Sequence, residues 1–447
     1  MRFLVDLFYL CAGVVYLPIA LYQALIVGKN RHGWRERFGG APRFDQGRRR
    51  IWIHAVSLGE INCTPRLVEA LEARLPDCEI VFSTTTDTGY ARAVQLYGPD
   101  RVFRYPLDFS PVVARVLRRV RPSMIVLVEL EVWYNLVSLA GARGIPVVII
   151  NGRLSTHSAA CFRKLGVLAS SMFGKLAWIG AQDESIAQRF RELGANPSRV
   201  ETTSSLKWDT AQVGSSVDGA DELARALGLR NARPLWVCGS TGPGEEAIVL
   251  DAYRRLIHDW PRVRQGERNR TAQLDDSEPP ILAIVPRKPE RFEEVARLIE
   301  RTGFDCARRS RHPDGAVAPT WTQAGVVLGD TMGELRKFYS LAHAVFLGRT
   351  LVPMGGSDPM EAAALGKPIV MGPYTDNFRL PVTALAQADA IRIAETAEVL
   401  PGVMETILGD AALARELGTR AREVVIRNQG ATDRTADRLV AVLGRVL

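Results

Sequence analysis

Several charged side chains in this chain stand directly after apolar runs, where a parallel sheet would offer them to a ligand. Glu60 closes the segment HAVSLGE (54–60), which reads as strand, short turn and helix start. Two roles suit it. A carboxylate in a first helical turn is stabilised by the macrodipole. A carboxylate at a cleft edge, its pKa lifted by burial, can instead take a proton from an attacking hydroxyl. Glu129 and Glu131, in VELEVWYN (128–135), end a strongly apolar run. Charges there call for a ligand or a paired cation. Arg153, in NGRLS (151–155), either neutralises one of these glutamates or binds an anionic substrate. Lys207, in SSLKWD (204–209), is a solvated charge or a ligand cation. The hydroxyls of STTTDTGY (83–90) bind a phosphate or sugar, or cap the helix that follows.

The second half carries a parallel set. CGSTGPGEE (238–246) is a glycine-rich turn opening a helix, an arrangement that can cradle phosphate, although it is neither GxGxxG nor a P-loop. Arg287 and Lys288, in VPRKPERF (285–292), form a phosphate clamp or are solvated charges at a helix start. In GGSDPMEAAALGKPIVMGP (355–373), Gly355 and Gly356 allow close backbone approach to a ligand. Asp358 is placed to cap a helix whose first turn holds Glu361, a capping-box spacing. The same arrangement lets Glu361 accept ribose hydroxyls while helix N–H groups face a phosphate.

The elements that would position these groups alternate along the chain. Val- and Ile-rich strands are expected at 51–56, 79–83, 101–105, 124–129, 146–151 and 175–180. A second series falls at 234–239, 281–286, 325–330, 343–348 and 367–372. Such runs lack period-two alternation, so both strand faces are buried, as in a parallel sheet. Between them lie amphipathic helices such as TPRLVEALEARL, with Leu67, Ala70, Leu71 and Leu75 on one face. The sequence therefore predicts an α/β protein with two Rossmann-like domains facing a cleft. Domain one covers 31–210 and domain two 233–427, with a linker at 211–232 and a polar surface insertion at 262–280.

Residues 3–27 contain a single charge, Asp6, and are long enough for a membrane-anchor helix over 1–30. Lys29, Arg31, Arg35 and Arg37 follow it, which places the main body in the cytoplasm. An in-plane anchor with this cluster on anionic lipid is the alternative. The 447 residues, 47% hydrophobic and 24% charged, exclude a disordered chain and a multi-span membrane protein. The net charge of +8 favours anionic partners. With 7% aromatics and no basic run interleaved with them, no nucleic-acid partner is expected. Six scattered cysteines and no HExxH give no expected metal site and suit a reducing compartment.

Five blocks taken together resemble the 3-deoxy-D-manno-octulosonic acid (Kdo) transferases of lipopolysaccharide synthesis. They are HAVSLGE (54–60), ARGIPVVIINGRLS (142–155), VPRKPERF (285–292), GDTMGELRKFY (329–339) and GGSDPMEAAALGKPIVMGP (355–373). The resemblance implies a GT-B fold whose last helix, 428–447, packs back on the first domain. It implies an enzyme that transfers Kdo with inversion from CMP-Kdo to a lipid A precursor, lipid IVA, at the cytoplasmic face of the inner membrane. No cofactor is implied beyond this donor. Glu60 matches the catalytic base. Pro286, Arg287, Met332, Gly333 and Glu334 match the CMP-binding blocks. Asp358, Pro359, Met360 and Glu361 complete that site, and Lys207 matches a lysine near the donor phosphate or Kdo carboxylate. Acceptor phosphates would meet Arg31, Arg35, Arg37 and Arg48 to Arg50. The chain departs from the family pattern at Ser357 and Asp358, where His and Asn are usual, at Ser204 for Gly, and at Tyr134 for Pro. A GT-B epimerase of the UDP-N-acetylglucosamine type, another GT-B transferase and an inactive lipid A-binding scaffold are the rival readings.

Overall fold

The Val- and Ile-rich runs become strands because each is covered on both faces. The computed structural model describes residues 2–22, 33–45, 47–229, 233–267, 278–321 and 324–444. The chain divides into two compact units, Met1–Thr210 with Asn428–Leu447, and Ala211–Arg427. In unit 1 the strands are β1 (Arg49–His54), β2 (Cys78–Thr84), β3 (Val102–Arg104), β4 (Met124–Val128), β5 (Val147–Gly152), β6 (Trp178–Ala181) and β7 (Val200–Thr202). They form one parallel sheet in the order β3-β2-β1-β4-β5-β6-β7. Alternate residues of one strand enter different cores: Trp52, Ile125 and Leu127 on one face, Ile51, Ile53 and Val126 on the other.

The two ends of the chain supply part of this cover. The C-terminal helix Ala431–Gly444 packs with helix Pro65–Arg74 through Ala436, Leu439, Leu67 and Leu71. Asp209 fixes its start by accepting from the Gly430 N–H at 2.7 Å and the Thr432 N–H at 2.5 Å. On the other face lies the N-terminal helix Arg2–Tyr22, with Val5 in the core. Asp6 is what docks it. One carboxylate oxygen accepts from the Ser110 N–H at 2.9 Å and from Asn135 Nδ2 at 2.8 Å. The charge that interrupts the apolar run is thus used to hold the helix on the unit.

The membrane anchor expected over 1–30 is not shown. Among the described residues no helix is long and apolar enough to cross a membrane. Residues 23–32, with Lys29 and Arg31, lie outside the described residues. The expected basic collar is also corrected. Arg37 is buried and donates to the Thr85 carbonyl at 2.6 Å. Arg50 is buried against Glu79 and the Val120 carbonyl. A guanidinium cannot leave water without such partners, so both are structural. A different cluster emerges: Arg119 lies in the like-charge field of Arg43, Arg115 and Arg35.

Unit 2 repeats the plan with β8 (Leu235–Thr241), β9 (Ile281–Pro286), β10 (Asp305–Arg308), β11 (Gly325–Leu328), β12 (Ala344–Leu347), β13 (Ile369–Met371) and β14 (Ile391–Ile393). Their parallel order is β10-β11-β9-β8-β12-β13-β14. Trp236, Ile284 and Phe346 pack on Tyr253 and Leu256 of helix Glu245–Glu267 and on Met404 of helix Leu400–Gly409. That helix runs into the stretch expected as a surface insertion, of which 268–277 lie outside the described residues. Residues 211–229, expected as linker, carry a helix, Ala220–Ala226, with Leu223 buried. Its C-terminal end accepts a hydrogen bond from the Trp321 indole at 2.8 Å. Small and acidic residues suit a helix that needs to bury only a narrow stripe.

Candidate active site

In a doubly wound parallel sheet, ligands bind beyond the carboxyl ends of strands where the strand order reverses. In unit 1 that point lies between β1 and β4. Glu60 follows β1, and Glu129 and Glu131 follow β4. Glu60 sits in the short helix Leu58–Ile61, capped by Ser57, whose Oγ accepts from the Glu60 N–H at 3.4 Å. One Glu60 carboxylate oxygen accepts from the Val56 N–H at 2.8 Å, and the other from Ser57 Oγ at 2.8 Å. This Ser-x-x-Glu pair is a variant of the capping box whose return bond goes to the Val56 N–H, so the stabilising role is real. It also fixes the carboxylate in one orientation. Burial raises its pKa, the Val56 and Ser57 donors oppose this, and the charges of Glu129 and Glu131 raise it further. A carboxyl shifted in this direction is suited to act as a base nearer neutral pH.

Three residues along this edge hold left-handed backbone without being glycine: Glu129 (φ 63°), Asn151 (φ 51°) and Ser204 (φ 69°). Each costs about 1–3 kcal/mol unless its surroundings compensate, and such residues gather at functional sites. Glycine would hold the positive φ at Ser204 without strain. Asn151, fully buried, accepts from Ser205 Oγ and the Leu206 N–H, each at 3.2 Å. It thereby ties the turn carrying Lys207 to the end of β5. The Lys207 N–H donates to Ser205 Oγ at 3.3 Å, and the residue is half-buried. Arg153 joins this edge through its N–H, which donates to the Glu129 carbonyl at 3.4 Å. Its side chain is exposed and pairs with neither glutamate, so its neutralising role is not made. Glu131 instead accepts from the Trp133 indole at 3.1 Å, and burial raises its pKa. Tyr134 occupies the first position of helix Tyr134–Gly141, where proline fits equally well. Its ring receives Lys175 at 5.1 Å.

In unit 2 the order reverses between β8 and β12. The loops there are held by Glu245, whose side chain is fully buried. Its carboxylate accepts from four main-chain N–H groups: Gly242 at 3.2 Å, Arg349 at 2.5 Å, Thr350 at 2.9 Å and Leu351 at 3.0 Å. Burial still outweighs these donors and raises its pKa. Glu246 pairs with Arg291 at 2.5 Å and accepts from Thr241 Oγ1 at 2.8 Å. The loops approach so closely that a Cβ on Gly348 would lie 2.5 Å from the Thr241 Cα. Sequence reading missed Glu245 and Glu246. Their signal was two carboxylates at a strand-end helix start, where water is excluded.

The nucleotide-site residues expected in this unit fall into two groups. Arg287 follows β9, its N–H donating to the Thr241 carbonyl at 3.1 Å while its side chain is exposed. Pro286 pairs with Thr241 across the sheet. The fully buried Tyr339 hydroxyl feels the charges of Glu361, Asp358 and Arg287, which brings these three near one buried group. Gly355 and Gly356 both have positive φ, 80° and 84°. The expected capping box is corrected. Pro359, not Asp358, precedes helix Met360–Ala364, and Asp358 accepts from the Met360 N–H at 2.9 Å. An asparagine oxygen could accept that bond equally, so the Asn-to-Asp exchange leaves it intact. Ser357 Oγ donates to the Ser240 carbonyl at 3.4 Å. Pro359 and Met360 are buried and Glu361 is exposed.

The second group is different. Glu334 is engaged by Arg309 through two contacts at 2.9 Å, which drive its pKa down to about 2. Thr331 and Lys337 add to this. Its side chain therefore holds the loop, and Arg309 was not foreseen. Met332 is 69% exposed and Gly333 has φ 84°, so this loop presents main chain and an open thioether to solvent. Among the described residues, no cluster of His, Cys, Asp or Glu is arranged to hold a metal ion.

The Glu245 arrangement yields a direct expectation. Glu245→Ala leaves four N–H groups without their acceptor. At about 1–3 kcal/mol for each buried unsatisfied donor, stability should fall by at least about 4 kcal/mol. Hydrogen exchange at 349–351 should rise with it. A variant with wild-type denaturant midpoint and exchange would contradict this role.

Residues 32–210 match the family model described as 3-Deoxy-D-manno-octulosonic-acid transferase (kdotransferase). Over 403 residues the chain is 33% identical to the 3-deoxy-D-manno-octulosonic acid transferase of Haemophilus influenzae, covering 88% of this chain and 87% of that protein. The corresponding protein of Bordetella pertussis is 32% identical over 405 residues, covering 88% and 87%. In fold, the UDP-GlcNAc 2-epimerase of Neisseria meningitidis superposes with a TM-score of 0.54 at 12% identity, covering 88% of this chain and all of that one. That likeness speaks for a GT-B-like fold alone. With a third of its residues shared along nearly the whole length of such relatives, the chain belongs to the 3-deoxy-D-manno-octulosonic acid transferase family.

Proposed function

We propose that the protein is an inverting glycosyltransferase that moves Kdo from CMP-Kdo to a lipid A precursor. The observation that carries this reading is Glu60. Its carboxylate is held at the switch point of unit 1 and made more basic by burial and by Glu129 and Glu131. In the proposed step a hydroxyl of the acceptor's glucosamine disaccharide attacks the anomeric carbon of Kdo. Glu60 takes the hydroxyl proton as the new C–O bond forms. The bond to CMP breaks on the opposite face, its electron pair leaving with the phosphate, so configuration inverts.

CMP leaves with a single phosphate. Arg287 and the main chain around Gly355 and Gly356 are the groups assigned to it in unit 2. Met332 and Gly333 contribute main chain, and Glu361 is assigned to the ribose hydroxyls. Lys207, on the turn fixed by Asn151, is assigned to the donor phosphate or Kdo carboxylate. Fixed donors aimed at developing charge need no reorganisation as the reaction proceeds.

The protein is proposed to work on the inner membrane with both units on the cytoplasmic side. Phe3, Leu7, Phe8, Val14 and Val15 expose apolar surface along the N-terminal helix. Arg35, Arg43, Arg115 and Arg119 gather positive charge on the same unit. An apolar helix face and a cationic cluster on one unit suit the boundary of an anionic bilayer.

Mass spectrometry of a lipid A precursor incubated with CMP-Kdo tests the reading. The expected product carries added Kdo, and an unchanged acceptor mass would overturn the proposal. The pH dependence is a finer check. A general base works ionised, so kcat/KM should fall as acid protonates Glu60, beginning above the ordinary carboxylate range. Glu131→Gln removes a like charge and should move that limb to lower pH. An unmoved or upward-shifted limb would contradict the assignment.

A further inference from the structure

We propose that a groove in unit 1 receives one acyl chain of the lipid acceptor and thereby sets where its sugar meets Glu60. The inference deepens the transfer reading and rests on it. The groove measures about 480 Å³, within the range of small-molecule sites, roughly 300–1,000 Å³. Leu4 and Phe8 of the N-terminal helix line it together with Leu165 and Leu168. The segment Leu130–Tyr134 lines it as well. This is the segment that leaves β4 at the switch point, and it carries Glu131, whose charge acts on Glu60. β4 pairs with β1, from which Glu60 follows, so the Glu131 end of the groove and the carboxylate lie on the same edge of the sheet.

Its chemistry selects the occupant. The walls are apolar, and polarity is concentrated at the Glu131 end, where the Trp133 indole donates to that carboxylate. The Tyr9 hydroxyl is engaged by Asp108 instead. A ligand matching this must be apolar along its length and polar at one end. A free fatty acid would bring its own carboxylate towards Glu131 and Glu60. A chain joined to a sugar by an amide or ester arrives neutral and brings sugar hydroxyls to the same place. The mouth opens through apolar side chains, with Leu4 63%, Phe8 67% and Leu165 48% exposed. The helical wall is fixed by the two hydrogen bonds of Asp6, so the groove is already formed without ligand. An acyl chain seated here would bring the attached glucosamine to the Glu131 end, beside the base.

The test uses the full chain, CMP-Kdo and two acceptors, an acylated lipid A precursor below its micelle concentration and the same disaccharide fully deacylated. Leu165→Asp places a charge in the exposed wall. It should lower the ratio of kcat/KM for acylated over deacylated acceptor by roughly tenfold or more, the scale of a lost apolar contact in a pocket. Leu165→Phe keeps the wall apolar and should preserve the ratio. An equal ratio in Leu165→Asp and the wild type would overturn the groove while leaving the transfer reading intact. A second measurement does not depend on turnover. A glucosamine carrying a brominated acyl chain should quench the Trp133 component of fluorescence, identified by its loss in Trp133→Phe. Brominated free fatty acid should quench it less. If neither acceptor gains Kdo, the transfer reading fails, and quenching still decides the groove: present, it stands as an acyl-sugar site; absent, it falls.

Discussion

A carboxylate withdrawn from water must collect hydrogen-bond donors, and in this protein the nearest donors are main-chain N–H groups of the loops that leave the strands. Glu60 collects the Val56 N–H, Asp108 those of Asn135 and Leu136, and Glu245 those of Gly242, Arg349, Thr350 and Leu351. Two parallel sheets place all such loops at one edge of each unit. Loops alone would wander, and their N–H groups would go to water. The buried acids turn them into fixed surfaces. The same acids pay for this in desolvation, which raises the pKa values of Glu60, Asp108 and Glu245. Glu60 is only partly withdrawn, so in the proposed transfer it can still meet a hydroxyl and use the shift.

The edge of unit 1 adds two further features to that carboxylate. Glu129 and Glu131 press negative charge towards it, and Arg153 does not relieve them. Left-handed backbone at Glu129, Asn151 and Ser204 shapes the loops around it. Both features cost stability and would be removed by selection for stability alone. Unit 2 shows the same economy at Ser240 (φ 57°), in the irregular end of β8, and at Arg349 (φ 63°), on the loop after β12. In each unit, then, part of the strain, at Glu129 in one and at Ser240 and Arg349 in the other, lies where the strand order reverses and where a doubly wound sheet takes its ligand.

Much of the fold was legible because burial on both faces leaves a plain mark, an unbroken Val/Ile run. The strands that escaped notice were β7, β10 and β14, each three or four residues long at or beside a sheet edge with incomplete burial. Short, half-covered strands need no apolar run and so leave none. The site was legible to a similar depth. Glu60, Arg287 and Lys207 follow strands or close turns and could be placed from sequence. Arg309 on Glu334, Glu245 on four N–H groups and Asp6 on Ser110 and Asn135 could not, since each joins segments distant in the chain. The same gap misassigned Arg37 and Arg50, whose partners at Thr85, Glu79 and Val120 are visible only after folding. Asp6 is the most instructive case. In the linear chain it reads as a flaw in an apolar span, and in the fold it is the attachment of that helix.

The central claim is that the Glu60 carboxylate removes the acceptor proton. Single-turnover transfer by Glu60→Gln, with CMP affinity measured in parallel by calorimetry, addresses it most directly. Glutamine keeps the size and one hydrogen-bond acceptor but cannot take the proton at neutral pH. The account predicts a fall in the transfer rate of about 10²–10⁴-fold with CMP affinity nearly unchanged. A transfer rate within a few-fold of the wild type would remove Glu60 from the chemistry.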